Sequence, residues 1–589
     1  MYTLGYSGFD GSAEFKKNNL ADLTENEYRI YQGMDAAAAL LHKGQVIAAA
    51  SEERFVGTTH TGQFPKHAIE YCLREAGISW DDIHAVCHGF NYSLCEDIFT
   101  LDEFSKAYYD HVYDPTLQPK LFKKHFNIDL KNRFFPIRHH DAHAASAYFM
   151  SGFDNALVLV VDGMGEMDSI SIYQAYGNNL IPIQHYDVSN SLGIFYLAIT
   201  LHLGFAPNHD EYKIMGLAPY GDPDRFKYFF EECIDLTYDG EIRIPVFEKN
   251  KTMMEKQTHR GVRNWISEIL IPERQPDEPI LQIHKDLAAG LQHILNEGIA
   301  GLLHYWQRKT KTSKLCMAGG VALNCTANGV VLKRKIFDQI FIQPAAGDDG
   351  TSLGAALYQY HAVEKQPLEK CSPYTLPFYG EQCSREAILT ALQQHATSIQ
   401  YEELNEDDLI DQAARYIHDG AVLGWVQGRM EFGPRALGNR SILANPCKAD
   451  MRDRVNQVVK KREGFRPFAP SATLEAASHY FDIPQTLQLP HMLFTVDVKQ
   501  EYRDQLPAIT HCDGSARLQT VNKNEHPLYW KLLNRCAHYT GFPIVLNTSF
   551  NVKGQPIVRT PEDAINTLLA TQIDVLFIDR FKVVKLQHP

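Results

Sequence analysis

The segment Arg138-His139-His140-Asp141-Ala142-His143-Ala144-Ala145-Ser146-Ala147-Tyr148 sets two imidazoles four residues apart in an alanine-rich run. Alanine favours helix, and residues i and i+4 of a helix share one face. His139 and His143 can therefore address one metal ion. Two side chains do not close a metal site, so a further ligand must come from elsewhere in the chain. The same spacing also suits a histidine-rich helix start with His140 and Asp141 at surface or capping positions, and the pair alone does not decide between the two.

Other stretches carry chemistry of their own. The apolar run Leu315 to Ala318 enters Gly319-Gly320 and then a segment holding Asn324 and Asn328. Glycines at such a strand-to-helix junction let a ligand approach the backbone and the helix N-terminal amides. A second run, Ile340 to Pro344, ends in Gly347-Asp348-Asp349-Gly350, and these carboxylates are a source for the missing metal ligand. From Arg429 to Arg466 the chain carries Arg429, Arg435, Arg440, Lys448, Arg452, Arg454, Lys460, Lys461, Arg462 and Arg466 against Glu431, Asp450, Asp453 and Glu463, a local net charge of +6. Phe432-Gly433-Pro434 and Phe465-Arg466-Pro467-Phe468-Ala469-Pro470 stiffen that stretch. Arginine grips phosphate oxygens in pairs and lysine adds a point charge, so a polyphosphorylated ligand is expected here. There is no Gly-x-x-x-x-Gly-Lys-Ser/Thr loop. Ala516 to Val521, and Asn547-Thr548-Ser549-Phe550-Asn551 after the strand Pro543 to Leu546, offer further polar contacts.

These residues need a scaffold of more than one core, since 589 residues exceed what a single domain usually packs. Composition shifts near Glu364 to Ser384, with Pro367, Pro373 and Pro377, which places domains at 1–370 and 371–589. In the first, a strand Tyr2 to Tyr6 precedes a charged segment, Asp10 to Gly33, read as an inserted loop or lid. A hairpin follows, Asp35 to Leu41 and Gln45 to Ser51 about a Lys43-Gly44 turn. Ala156 to Val161 and Ser169 to Tyr173 form a second hairpin, with Asp162 to Glu166 at its turn. An acidic residue beside the strand turn in both places suggests a duplicated unit enclosing a cleft for a nucleotide or its metal. Helices are expected over Ile194 to Leu203, 282–306, Ser352 to Ala356, Arg385 to His395 and Glu406 to His418, and a strand over Val422 to Gln427. The fold class is α/β.

Composition removes several classes. A net charge of −14 argues against a general nucleic-acid binder. No apolar run approaches the length of a membrane span, and the first residues have no basic region followed by an apolar one, as a secretory signal would. The 11 cysteines include no Cys-x-x-Cys pair, which suits a reducing cytoplasm.

The ordered set Ser51-Glu52-Glu53-Arg54-Phe55, His139/His143, Lys213-Ile214-Met215-Gly216-Leu217-Ala218-Pro219-Tyr220-Gly221, Gly319-Gly320-Val321-Ala322-Leu323-Asn324, Gly347-Asp348-Asp349-Gly350, Phe432-Gly433-Pro434-Arg435-Ala436-Leu437-Gly438-Asn439-Arg440-Ser441, Arg466-Pro467-Phe468-Ala469-Pro470 and Asn547-Thr548-Ser549-Phe550-Asn551 resembles the O-carbamoyltransferase family of the nodulation-factor, cephalosporin and tobramycin type, over nearly the whole chain. The resemblance implies an N-terminal duplicated actin/Hsp70-like domain, akin to the tRNA-threonylcarbamoylation subunit (Kae1-like). It implies a C-terminal α/β domain akin to the enzyme that makes threonylcarbamoyl-adenylate (YrdC-like). The latter would join carbamoyl phosphate to ATP, supplied with magnesium, giving carbamoyl-adenylate and pyrophosphate; the former would pass the carbamoyl group to a hydroxyl of a small-molecule natural product, as in antibiotic or secondary-metabolite biosynthesis. The resemblance further implies iron(II) on His139, His143 and Asp348, and catalytic roles for His139, Asp35, Lys460 and Arg466. Carbamoyl phosphate contacts map to Arg435, Lys460, Arg466, Arg517 and Ser549, and other nucleotide or phosphate positions to Gly193, Glu211, Lys213, Gly319, Gly320, Asn324, Gly347, Arg440 and Asn551. A homodimer is what it suggests.

One position departs from the pattern. The family shows His-Asp before its first alanine-rich strand, and this chain has Met34-Asp35. If that histidine takes the acceptor's proton, another group must do so here, with His209, His140 and Asp10 as the candidates. Two other readings stand beside the transferase: a tRNA threonylcarbamoyl-type transferase, which the acidic charge disfavours, and a nucleotide-gated binding module, which leaves the basic stretch unexplained.

Overall fold

The computed structural model describes residues 1–237, 240–368, 371–460 and 462–586, so Lys461 of the basic stretch lies outside the described residues. The chain forms two compact units, one of Met1–Glu52 with His60–Pro373, the other of Glu53–Thr59 with Tyr374–Pro589. The short segment 53–59 thus belongs with the second unit although it lies early in the sequence. Among the described residues, no helix is long and apolar enough to cross a membrane.

Two five-stranded sheets organise the first unit. Strands β1 (Tyr2–Ser7), β2 (Ala37–His42), β3 (Gln45–Ser51), β4 (Ile83–His88) and β5 (Phe134–Pro136) lie in the order β3-β2-β1-β4-β5. Strands β6 (Asn155–Gly165), β7 (Asp168–Tyr176) and β8 (Asn179–Asp187) are followed by a short ribbon, β9 (Asp235–Leu236) and β10 (Ile242–Arg243), and then by β11 (Lys314–Ala318) and β12 (Gln339–Ile342). Their sheet runs β8-β7-β6-β11-β12. In each, a three-stranded antiparallel meander is extended by two parallel strands on the far side of its first strand. The duplication expected from the two hairpins is therefore present as a repeated strand order. Lys43 and Gly44 take φ of 52° and 85°, the positive pair that a tight two-residue hairpin turn requires. Residues Ala156 to Val161 are fully buried, which explains why β6 reads as an unbroken apolar run instead of an alternating one.

The helices His139–Ser151 and Asp349–Leu357 pack between these elements, and both are buried along most of their length. Small residues let them approach. A Cβ on Gly354 would lie 1.8 Å from the Ala142 carbonyl oxygen, so only glycine permits this crossing.

Residues 11–33 are a packed element, which corrects the loop or lid reading. Helices span Ser12–Asn19 and Glu25–Tyr28, the second closed by a capping box between Thr24 and Glu27. Phe15 packs with Phe9, Phe90, Tyr92, Tyr108, Tyr109, Val112 and Tyr113. Glu27, only 1% exposed, accepts from Arg260 Nε at 2.6 Å and from Arg263 Nη2 at 2.5 Å. Gln32 Nε2 donates to the Met164 carbonyl at 2.7 Å. The segment looked loose because its apolar residues are few and its anchors are charges supplied some 230 residues later.

The second unit holds an eight-stranded mixed sheet. Its strands are β13 (Ile399–Glu403), β14 (Leu423–Val426), β15 (Arg440–Ala444), β16 (Ala469–Thr473), β19 (Gln519–Val521), β20 (Ile544–Ser549), β21 (Val575–Ile578) and β22 (Phe581–Lys585), in the order β13-β22-β21-β14-β15-β20-β16-β19. Strands β17 (Thr495–Asp497) and β18 (Ser515–Arg517) form a separate ribbon. Helices Glu406–Asp419 and Pro527–Thr540 share a core with Trp425, Phe577 and Tyr529. The helix over Arg385–Gln394 and strand β14 fall where expected.

Burial works against ionisation of Glu27, but Arg260 and Arg263 outweigh it and bring its pKa down to about 2. Its ionised form is thus favoured in the folded state, and its contribution to stability is lost as the pH falls through the ordinary carboxylate range towards 2. Glu27→Ala leaves the Arg263 charge without this buried partner and is expected to cost about 3–5 kcal/mol, read as a lower denaturant midpoint at neutral pH, with the difference from wild type shrinking in acid.

Candidate functional site

His139 and His143 lie on the first two turns of their helix with Nε2 atoms 3.1 Å apart. Asp348, beside the start of the Asp349–Leu357 helix, brings Oδ1 to 3.4 Å from His139 Nε2 and 3.7 Å from His143 Nε2. A fourth group completes the set. Asp162, on β6, places Oδ2 at 3.4 Å and 3.9 Å from the same two nitrogens, and all four ligand atoms lie within 4.8 Å of one another. With bonds of about 2.1 Å, tetrahedral ligands stand about 3.4 Å apart, so two imidazoles and two carboxylates at these separations fit one divalent cation.

Surrounding groups fix the donors. His139 Nδ1 is 2.9 Å from the Gly89 carbonyl oxygen, which holds the proton on Nδ1 and turns the Nε2 lone pair towards the cluster. The Phe90 ring stacks on His139 at 4.0 Å. Glu166 caps the helix from a distance, its carboxylate accepting the backbone N–H groups of His139 at 3.0 Å and Asn91 at 2.7 Å. Asp162 Oδ1 accepts the Gly320 N–H at 2.9 Å, leaving Oδ2 for the histidines. The double glycine thus meets Asp162, and Gly319, with φ of 94°, would drive a Cβ to 2.2 Å from the Val161 carbonyl oxygen.

Burial disfavours a charged His139, yet Asp348 and Asp162 outweigh it and raise its pKa well above the usual histidine value. Burial likewise opposes ionisation of Asp162, and His139 and His143 overcome it and hold the carboxyl below its ordinary range. Two carboxylates at one buried spot call for a positive charge, which an imidazolium or a cation supplies. His140 faces away from the cluster, with Nδ1 at 2.7 Å from Ser171 Oγ, and burial takes its pKa down to about 3.

The other expected residues of this unit have partners of their own. Gly193 packs on the Asp162 backbone, where a Cβ would meet the carbonyl oxygen at 2.7 Å. Gly347 accepts the Gly350 N–H in the loop that presents Asp348. Glu211 accepts the Asn208 N–H at 2.8 Å, and burial raises its pKa to about 7. Lys213 pairs with Asp210 at 3.0 Å. Asn324 caps the Cys325–Lys333 helix and exchanges amide hydrogen bonds with Gln292. Asp35 Oδ1 is 2.9 Å from His60 Nδ1.

In the second unit Lys460 is almost fully buried, and its Nζ donates to the Ser549 carbonyl at 2.5 Å and to Asn551 Oδ1 at 2.6 Å, with Ser549 Oγ at 3.2 Å. Three of the expected residues are thus brought together. Burial first, and then the Arg462 and Arg466 charges, lower the Lys460 pKa well below the usual lysine range. Arg435, Arg466 and Arg517 are half-buried. Arg440 corrects the expectation of a ligand contact: it is fully buried, and its guanidinium donates to the carbonyls of Gln427, Asn439 and Glu381 at 2.6, 3.0 and 3.1 Å. Those hydrogen bonds brace the start of β15.

Residues 30–357 match the family model described as the carbamoyltransferase N-terminus, and residues 414–585 match the one described as the carbamoyltransferase C-terminus. The chain belongs to the carbamoyltransferase family. It is 39% identical over 590 residues to nodulation protein NolNO of Sinorhizobium fredii, covering 99% of this chain and 83% of that one. Nodulation protein NolO of Bradyrhizobium diazoefficiens is 43% identical over 76% of this carbamoyltransferase and 79% of its own length. The 3'-hydroxymethylcephem-O-carbamoyltransferase of Amycolatopsis lactamdurans is 34% identical over 44% of this chain and 46% of its own. The resemblance drawn from the motifs is thereby shown, and the protein is an enzyme.

Asp162 is the member of the cluster that sequence reasoning missed as a ligand. Its signal was present, as the acidic residue ending the apolar strand of the second hairpin, but Asp and Gly also serve turns, and no spacing ties residue 162 to residues 139, 143 and 348. The close fit at the cluster gives a direct test. A Cβ on Gly165 would stand 2.5 Å from His139 Cδ2 and 2.7 Å from His140 Cδ2. Gly165→Ala is expected to destabilise the enzyme by about 1–3 kcal/mol, seen as a lower denaturant midpoint at unchanged slope.

Proposed function

We propose that this carbamoyltransferase is an ATP-dependent O-carbamoyltransferase acting on the hydroxyl of a small-molecule natural product. Carbamoyl phosphate, ATP and one water yield carbamoyl-adenylate, pyrophosphate and orthophosphate, and the carbamoyl group then passes to the alcohol, freeing AMP. The observation that carries this reading is the buried four-residue cluster of His139, His143, Asp162 and Asp348 in a chain of this family, and the Lys460 site supports it.

His139, His143 and Asp348 would hold a divalent metal with Asp162 as a fourth donor; iron(II) is the ion that the family resemblance implies. When bound, such an ion supplies Lewis acidity that polarises a carbonyl oxygen. The chain's own residues prepare that place: Gly89 fixes the His139 tautomer, Gly320 fixes one oxygen of Asp162, and Phe90 covers the ring from water. In the second unit, Lys460 with Arg462 and Arg466 forms a group of cations whose mutual repulsion an anion relieves. Phosphate oxygens of carbamoyl phosphate or ATP are the anions proposed, with Ser549 and Asn551 holding Lys460 in position. Arg435 and Arg517 are proposed as further contacts to the same phosphates.

Product analysis tests the reading. With ATP and carbamoyl phosphate, pyrophosphate release that depends on carbamoyl phosphate is expected; ADP as the sole nucleotide product overturns the adenylate mechanism in favour of simple ATP hydrolysis. His143→Ala is expected to keep pyrophosphate release and lose carbamoyl transfer, whereas Lys460→Ala loses pyrophosphate release by about 100-fold or more. Equal loss of both steps in His143→Ala would show that the cluster serves structure alone.

A further inference from the structure

The early segment 53–59 packs within the second unit, and one of its side chains reaches the loop that bears Arg435. Arg54 is 7% exposed. Its Nη2 donates to the Gly433 carbonyl at 3.0 Å, and its Nη1 lies 3.4 Å from Glu53 Oε1. The backbone around it is held in turn. Arg559 Nε donates to the Arg54 carbonyl at 3.3 Å, the same guanidinium lies over the Phe55 ring at 4.8 Å, and its Nη1 pairs with Glu381. The Glu381 carbonyl accepts from the Met430 N–H at 3.2 Å and from Arg440 Nη2 at 3.1 Å. The clasp on Arg54 thus ends on both flanks of the loop that Arg54 touches.

The inner side of that loop is fixed to the sheet. Glu431 Oε1 accepts the N–H groups of Leu437, Asn439 and Arg440 at 2.8, 2.9 and 3.1 Å. Asn547 Nδ2, on β20, donates to the Ala436 carbonyl at 3.3 Å. Asn547 stands two residues before Ser549, which with Asn551 holds Lys460. Ala436, next to Arg435, is therefore tied to the strand that carries the Lys460 cradle. The flexible point is Gly433. Its φ of 115° suits a residue without a Cβ, and such a residue has many other conformations open to it. Pro434, with its own φ set by the ring, passes on whichever conformation Gly433 takes. The buried Gly433 carbonyl, two residues before Arg435, is where Arg54 selects one of them.

We propose that Arg54 is a positioning residue of the phosphate site: by holding the Gly433 carbonyl it fixes the backbone from which Arg435 meets carbamoyl phosphate. The proposal rests on the adenylate mechanism above and on the phosphate contact proposed there for Arg435. Arg54 touches no reacting atom in this account. It lies 379 residues before Gly433, so the half-reaction proposed for the second unit depends on a piece of chain outside residues 374–589. Without its guanidinium, a buried carbonyl loses its donor and the loop regains the freedom of its glycine.

Kinetics of the full-length enzyme test it, through carbamoyl-phosphate-dependent pyrophosphate release at varied carbamoyl phosphate and at varied ATP. KM is independent of the folded fraction, which enters only the maximal rate. Methionine at position 54 keeps an unbranched stem but donates nothing to the carbonyl, whereas lysine keeps a donor at a shifted position. Arg54→Met is expected to raise the KM for carbamoyl phosphate by about 10-fold or more, with the KM for ATP changed less. Arg54→Lys is expected to fall between Arg54→Met and the wild type. A KM for carbamoyl phosphate within about twofold of wild type in Arg54→Met, or a rise that ATP shares equally, overturns the proposal. If Arg54→Met does not fold, the same two criteria are applied to Arg54→Lys. Wild-type enzyme that releases no pyrophosphate overturns the adenylate mechanism and the proposal together; wild-type release with an unmoved KM in the variant removes the role of Arg54 alone.

Discussion

Asp162 and Asp348 bring like charges to the same pair of buried imidazoles, and in a low-dielectric setting that repulsion is costly unless positive charge lies between them. Much of the first unit serves to keep the four donors in register despite it. The His139–Ser151 helix carries two of them on one face, Gly354 lets the helix that follows Asp348 cross against it, and β6 delivers Asp162. Glu166 adds a carboxylate to the N-terminus of the histidine helix, where the first amides lack partners within the helix. The raised affinity of His139 for a proton expresses the same demand for positive charge in another form.

The second unit meets a mirror-image demand. There the concentrated charge is positive, and Lys460 is cradled by oxygens of Ser549 and Asn551 while Arg462 and Arg466 press on it. One unit thus gathers anionic groups that attract a cation, and the other gathers cations that attract anionic phosphate. The division agrees with the two family matches, which fall one in each unit apart from residues 53–59.

Much of this was legible in the sequence where chemistry and periodicity coincide. The alanine-rich helix, the apolar strand β6, the double glycine and the Lys43-Gly44 turn each announce themselves within about ten residues, because local backbone geometry selects their residue types. What escaped depends on contacts between distant segments. Asp162 resembles any strand-end aspartate until β6 is laid beside the histidine helix. Arg440 resembles any exposed phosphate-binding arginine until three backbone carbonyls are found around it. Residues 11–33 look like a loose insertion because the charges that fasten Glu27 lie at 260 and 263.

Residues 11–33 contribute none of the four cluster donors, yet two residues of their last third anchor them, Gln32 to Met164, two residues beyond Asp162, and Glu27 to Arg260 and Arg263. A wall attached in this way can be recut without disturbing the floor. Surface substitutions away from Glu27 and Gln32 leave both anchors as they are. The fold therefore separates positions whose change would disturb the four donors from positions whose change leaves the supports of those donors intact.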